Sequence, residues 1–334
     1  MKPVAAGASR LLSIQYLRAF AALMVVAYHA MRWTKPSFDI GAAGVDVFFI
    51  ISGFILWTIY SERPRGPLAF LDHRWRRVAP LYWILTLIVA AIAWRWPPLI
   101  WDARVAWPHL LLSLAFIQHL NADGQPFPVI TAGWSLNYEA VFYLVFAASL
   151  LAPPRRRLLA LTLGLLAVPL FGIIVQPAYF LGANMMFLQF IAGVWLAQAR
   201  RARRLPGAAA GWTLAGLGLV IFGLLSPLDL YDKLWRPLLW GAPALLLVAG
   251  VVSAETAKGF ADVGFLRLLG DASYSIYLTH VVVIQLLSHV LNAGLLSFAP
   301  IAFAVSVAAG LAVYALLERP LLVRLRGRPP AISS

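Results

Sequence analysis

No cysteine occurs in the 334 residues, which excludes disulfides, thiolate nucleophiles and cysteine-based metal sites. Acidic residues are scarce: 13 Asp and Glu stand against 27 Lys and Arg, giving a net charge of +14. Charged residues of both signs make up only 12% of the chain, against 62% hydrophobic residues and a mean hydropathy of +0.81. So little charge overrules the two soluble domains that length alone would suggest. Short alternating strands are missing, which argues against a transmembrane barrel. Walker and dinucleotide glycine loops, zinc spacings and a G-x-S-x-G nucleophile elbow are also missing, which removes several enzyme classes. Internal repeats and heptads are not found; the N-terminal MKPVAAGASRLLS is short and weakly basic, and the span after it lacks an A-x-A-like cleavage site followed by a soluble domain, so the first span is expected to be retained.

What remains is apolar sequence in runs of about 17 to 20 residues, the length of a membrane-crossing helix. Helices satisfy their own backbone groups in lipid, so the expected fold is an all-α polytopic membrane bundle in a single domain, residues 1–334. Ten spans are expected, near 14–33, 45–60, 78–96, 136–152, 158–175, 180–198, 208–225, 235–253, 273–293 and 298–317. An eleventh apolar stretch, VAWPHLLLSLAFIQHL at 105–120, is short and carries an early proline. Loop charge decides its status. With ten spans the basic segments 62–77, 153–157, 200–204 and 318–328 all share the side of Lys2 and Arg10, as the positive-inside rule requires. The expectation is therefore cytoplasmic termini, with 105–120 a re-entrant or interfacial helix inside a long external loop, 97–134. A loop of that length and apolar content reads as a packed lid.

Five stretches carry polar groups the bilayer would exclude. In IQYLRAFAALMVVAYHA, residues 14–30, Arg18 and His29 lie eleven residues apart. Eleven steps of about 100° return to within roughly 20° of three turns, so both project from one face, about 16 Å apart along the axis. Intramembrane ionisable groups usually face a cavity or pathway, although Arg18 snorkelling to headgroups is the plainer alternative. GVDVFFIISGFIL (44–56) brings Asp46 to the outer end of the second span, at a depth expected to match His29, where a carboxylate could orient the imidazole. Its Ser52 and Gly53 suit close helix packing. GWSLNYEAVFYL (133–144) places Glu139 about one turn inside the fourth span. Convergence of His29, Asp46 and Glu139 would suit removal of a proton from a hydroxyl.

FLDHRWRRVAPLYW (70–83) supplies Arg74, Arg76 and Arg77 just before the third span. Such clusters set topology and bind anionic lipid, and arginine forks are also partners of phosphate. GDASYSIYLTHVVVI (270–284) places Tyr277 and His280 three residues apart on one face, for hydrogen bonding between helices or for donor binding. No metal site and no nucleic-acid partner is expected.

These five elements, in this order, resemble acyltransferase family 3, bacterial membrane enzymes that O-acetylate exopolysaccharides, lipopolysaccharide O-antigens and related surface glycans. Arg18 with His29 matches the family's R-x10-H signature. The resemblance implies acyl transfer from cytoplasmic acyl-CoA, most often acetyl-CoA, to a hydroxyl of a carbohydrate or glycolipid, in the bacterial inner membrane and with no permanently bound cofactor. It implies His29 as catalytic base or relay, Arg18 holding the donor or its carbonyl, Arg74 and Arg77 on the CoA phosphates with Arg76 beside them, and Glu139 at the family's acidic position. Some relatives carry an extra C-terminal SGNH-type domain, which is not expected here. A transporter with a histidine and acid proton relay is the rival reading, but the repeat symmetry it predicts is not found.

Overall fold

The computed structural model describes residues 11–32, 38–62, 66–100, 105–175, 185–228, 235–291 and 295–325. Among these residues the ordered elements are all helices, with no strand. In order come α1 (Leu12–Met31), α2 (Gly44–Glu62), α3 (Pro67–Arg95), the short α4 (Trp107–Leu114), α5 (Trp134–Ser149), α6 (Arg157–Val175), α7 (Phe187–Arg201), α8 (Ala208–Leu225), one turn α9 (Arg236–Leu239), α10 (Gly241–Lys258), α11 (Gly264–Val290), α12 (Leu295–Val313), a π turn (Tyr314–Glu318) and α13 (Arg319–Leu325). Among the described residues, seven segments are long and apolar enough to cross a membrane: 12–31, 39–61, 67–95, 208–225, 236–258, 264–290 and 297–325. Helices α5, α6 and α7, of 16, 19 and 15 residues, complete the set of long helices among the described residues.

The long helices alternate in direction, so that Arg155–Arg157, Arg200–Arg204 and Lys258 gather at one end of the bundle, called here the basic end. Small residues set how closely the helices pack. Gly53 of α2 and Gly193 of α7 each face the other helix's backbone so closely that a methyl would collide with a carbonyl, the geometry small residues permit between membrane helices. Glu255 of α10 caps α1 from outside, its carboxylate accepting from the Leu12 and Ser13 amides at 2.8 and 2.9 Å. These are two of the orphan donors of that helix start.

Two boundaries differ from expectation. The arginine segment 70–77, anticipated as a connection, forms the opening turns of α3, which runs 29 residues. Pro67 sits in its first turn, where a missing N–H costs nothing. At roughly 43 Å this helix exceeds a ~30 Å apolar layer, so apolar-window reasoning began it too late. Likewise α11 starts at Gly264, nine residues ahead of the apolar run.

The stretch 105–120 does not form a crossing helix. Its eight helical residues span about 12 Å, and the segment packs down the side of α3. Trp94 Nε1 donates to the Val105 carbonyl at 2.7 Å, Trp83 Nε1 to the Leu114 carbonyl at 2.8 Å, and Phe116 packs on Tyr82 at 4.7 Å between ring centroids. Three tertiary contacts in sequence order make this a hairpin packed against α3 rather than a free loop. Ser113 ties its return, donating to the His109 carbonyl and accepting from the Val129 amide.

Within this hairpin His109 and His119 share a hydrogen bond of 2.9 Å. Burial, and secondarily the neighbouring His119, lowers His109 to a pKa of about 4. A histidine that stays neutral when packed but titrates near 6.5 when the hairpin opens favours the open state in acid. Stability of the hairpin is therefore complete above about pH 6.5 and falls by up to about tenfold in the opening equilibrium per pH unit toward pH 4. Hydrogen exchange of amides 105–133, corrected for intrinsic rate, should show this slope between pH 7 and 5. The slope should vanish in His109→Gln.

Candidate active site

The floor of the site is built by the opening turns of α3. Arg74 and Arg77 are three residues apart and so share a helix face. Both line a cavity of about 140 Å³, together with Arg18 of α1, Ser52 of α2, Glu139 of α5 and Tyr277 of α11. Each guanidinium is held differently. Arg77 Nη1 donates to buried Glu318 at 2.5 Å, and Ser275 donates to the other oxygen of that carboxylate at 2.6 Å. Arg74 Nη2 donates to His73 Nδ1 at 3.0 Å, an acceptor shared with the Tyr60 hydroxyl at 2.9 Å. Arg74 forms no ion pair among the described residues, and its Nε is buried without a partner. Ser273 Oγ, also on the cavity wall, is buried and unpartnered as well. Buried donors are seldom left unsatisfied in a folded protein unless a ligand or water meets them.

Glu139 accepts through one oxygen from Tyr143 at 2.6 Å and Ser52 at 3.2 Å. Ser52 is thus a polar contact of the cavity rather than only a packing residue. Tyr277 forms the opposite wall, its hydroxyl 2.9 Å from that of Ser135 and its ring edge-on to Phe48 at 5.8 Å.

His29 lies beyond Tyr277 and does not line the cavity. Its ring leans back to the Val25 carbonyl at 2.9 Å, and its Nδ1 stands 3.2 Å from Nε2 of His280. The run from cavity to histidine is Tyr277, His280, His29, with centroid separations of 5.8 and 4.8 Å.

Three anticipated residues fall elsewhere. Asp46 shares no hydrogen bond with His29. It is fully buried and accepts instead from Gln189 at 2.9 Å and from Arg236 at 3.2 Å. The reason is depth: a methyl on Gly44 would strike the Ala21 carbonyl, so α2 begins level with Ala21, eight residues or about 12 Å short of His29. Arg76 points to the surface and pairs with Asp72 at 2.8 Å, because it lies on the helix side away from Arg74 and Arg77. His280, grouped above with donor binding, is fully buried against His29 and off the cavity wall. Sequence reasoning passed over Tyr143 and Glu318. The second had a signal, a carboxylate directly after the apolar run 298–317, which in lipid demands a partner.

A family model described as an acyltransferase domain matches residues 11–316. The chain belongs to acyltransferase family 3. Among curated relatives, the exopolysaccharide production protein ExoZ of Rhizobium meliloti is 38% identical over 313 residues, covering 90% of this chain and 96% of that one. The peptidoglycan O-acetyltransferase OatA of Listeria monocytogenes is 28% identical, over 84% of this chain and 50% of its own length. The putative membrane-bound transacylase BcsY of Komagataeibacter xylinus is 28% identical over 80% of this chain and 71% of its own. No solved structure matches. Family 3 membership makes the chain an acyl-transferring enzyme of the membrane, and its matched region spans every residue of the cavity wall.

Proposed function

We propose that the protein transfers an acyl group, acetyl foremost, from acyl-CoA to a hydroxyl of a surface carbohydrate, from a site in the bacterial inner membrane whose basic end faces the cytoplasm. The observation that carries this reading is the cavity lined by Arg18, Arg74 and Arg77, with the buried donors Arg74 Nε and Ser273 Oγ unmet. Guanidinium forks suit the phosphates of CoA. A polyanion cannot enter lipid, so its thin pantetheine arm alone would reach past Tyr277 toward His29. There the acceptor oxygen attacks the thioester carbonyl while His29 takes the hydroxyl proton; the carbon–sulfur bond breaks and the departing thiolate receives that proton. The ExoZ relative, named for exopolysaccharide production, supports a polysaccharide acceptor.

The donor side is tested by Arg74→Gln. Loss of a charge-assisted contact is worth about 1.5–3 kcal/mol, so KM for acetyl-CoA should rise roughly 10- to 100-fold with kcat little changed. Arg76→Gln, in a surface pair, should leave both constants unchanged. Equal effects of the two substitutions would overturn docking in this cavity.

A further inference from the structure

Two imidazoles in contact constrain each other's protons. A carbonyl oxygen only accepts, so His280 Nδ1, 2.6 Å from the Tyr277 carbonyl, must carry a hydrogen, and neutral His280 keeps a lone pair at Nε2. That lone pair faces His29 Nδ1 at 3.2 Å, and His29 Nδ1 also lies 2.9 Å from the Val25 carbonyl. Its hydrogen is therefore on Nδ1, shared between the two acceptors. With neutral rings the arrangement has a single solution, and it leaves the lone pair of His29 on Nε2. The opposite tautomer would set lone pairs against two carbonyls at once.

We infer that His280 is the positioning residue of His29, holding it in the tautomer that presents Nε2 as the base; this rests on the acyl-transfer reading above. The geometry assigns His280 the part a carboxylate plays in a serine hydrolase triad, where the third group fixes the imidazole's tautomer and orientation. Here the acceptor is neutral. No carboxylate touches either ring among the described residues, Asp46 being engaged by Arg236 and Gln189. The surroundings otherwise offer Tyr28 edge-on to His29 at 4.6 Å and Arg32 one turn on from His29, with Tyr277 on α11. When His29 takes the acceptor's proton at Nε2, its Nδ1–H donates to Val25 and His280 together, so the new charge meets two acceptors already in place.

The helix register makes the contact possible. Gly270 of α11 lies against the Gln15 carbonyl of α1, where any side chain would collide. The two helices run parallel from that point, which brings His280 to the turn beneath His29. The small-residue contact thus sets the level of the pair.

Amide substitutions at His280 separate positioning from packing. Glutamine places its oxygen where Nε2 stands and can still accept from His29. Asparagine reaches only the Nδ1 position, keeping the Tyr277 link and losing His29. In transfer assays with labelled acetyl-CoA, His280→Asn should lower kcat by roughly 10- to 100-fold with KM for acetyl-CoA within about twofold, because His280 is off the cavity wall. His280→Gln should recover kcat to within about fivefold of wild type. A structural role through Tyr277 would reverse this order, with asparagine active and glutamine impaired, and either that order or equal activity overturns the inference. His29→Gln in the same assay separates the two readings: if it too retains full kcat, the acyl-transfer role of His29 fails; if it is inactive while His280→Asn is active, only the positioning role fails.

Discussion

His29→Gln is expected to lower kcat for acetyl transfer by about 10² to 10⁴, the contribution typical of a general base, while leaving KM for acetyl-CoA within roughly threefold. The split follows from placement. His29 stands outside the cavity that Arg18, Arg74 and Arg77 line, so it can act on the reacting hydroxyl without holding the nucleotide. Glutamine keeps much of the side chain's volume and its capacity to hydrogen-bond, so the variant should retain its melting temperature in detergent or nanodiscs. The measurement is transfer of labelled acetyl to a glycan acceptor by purified protein, with CoA release followed in parallel. A kcat within tenfold of wild type would remove His29 from the chemistry. Release of CoA without transfer to the glycan would instead mean that water replaces the acceptor, and that the base survives in another residue.

The reach of the sequence is clearest where one helix carries the whole argument. Arg74 and Arg77 share a face by spacing alone, and the same periodicity turns Arg76 away to its surface pair with Asp72. Glu139, a turn inside an apolar run, needed a partner on electrostatic grounds, and Ser52 and Tyr143 supply it. Depth between helices was not legible. Asp46 and His29 lie near the same ends of neighbouring helices in sequence, yet the Gly44 contact with Ala21 shifts one against the other by two turns, and no single-chain periodicity contains that offset. The His280 partner was hidden for the same reason, since the parallel register of α1 and α11 is fixed by Gly270 at the far end of the helix. The hairpin at 105–120 was legible only in part: loop charge and its early proline favoured keeping it out of the crossing helices, while its course along α3 depends on Trp94, Trp83 and Tyr82 as partners.

Asp46→Ala is expected to cost about 3–5 kcal/mol of stability, the penalty for leaving one member of a buried ion pair alone, and so to lower the yield of folded protein sharply. Asp46 and Arg236 are 3.2 Å apart, with side chains only 0% and 3% exposed. Arg236 is also stacked against Trp240 at 4.9 Å and Trp134 at 5.8 Å, so the guanidinium cannot swing out to water when its counterion is lost. Because Trp134 opens α5, the helix that carries Glu139, the pair fixes the turn from which the cavity's carboxylate is presented. The penalty belongs to the orphaned charge rather than to the lost attraction. Replacing both partners with apolar residues, Asp46→Leu together with Arg236→Met, should recover most of the stability. Thermal unfolding of the two single variants and the double variant gives the coupling directly. Activity per folded molecule should stay near wild type in the double variant, since neither residue lines the cavity or touches His29. Loss of kcat in a fully folded double variant would return Asp46 to the reaction.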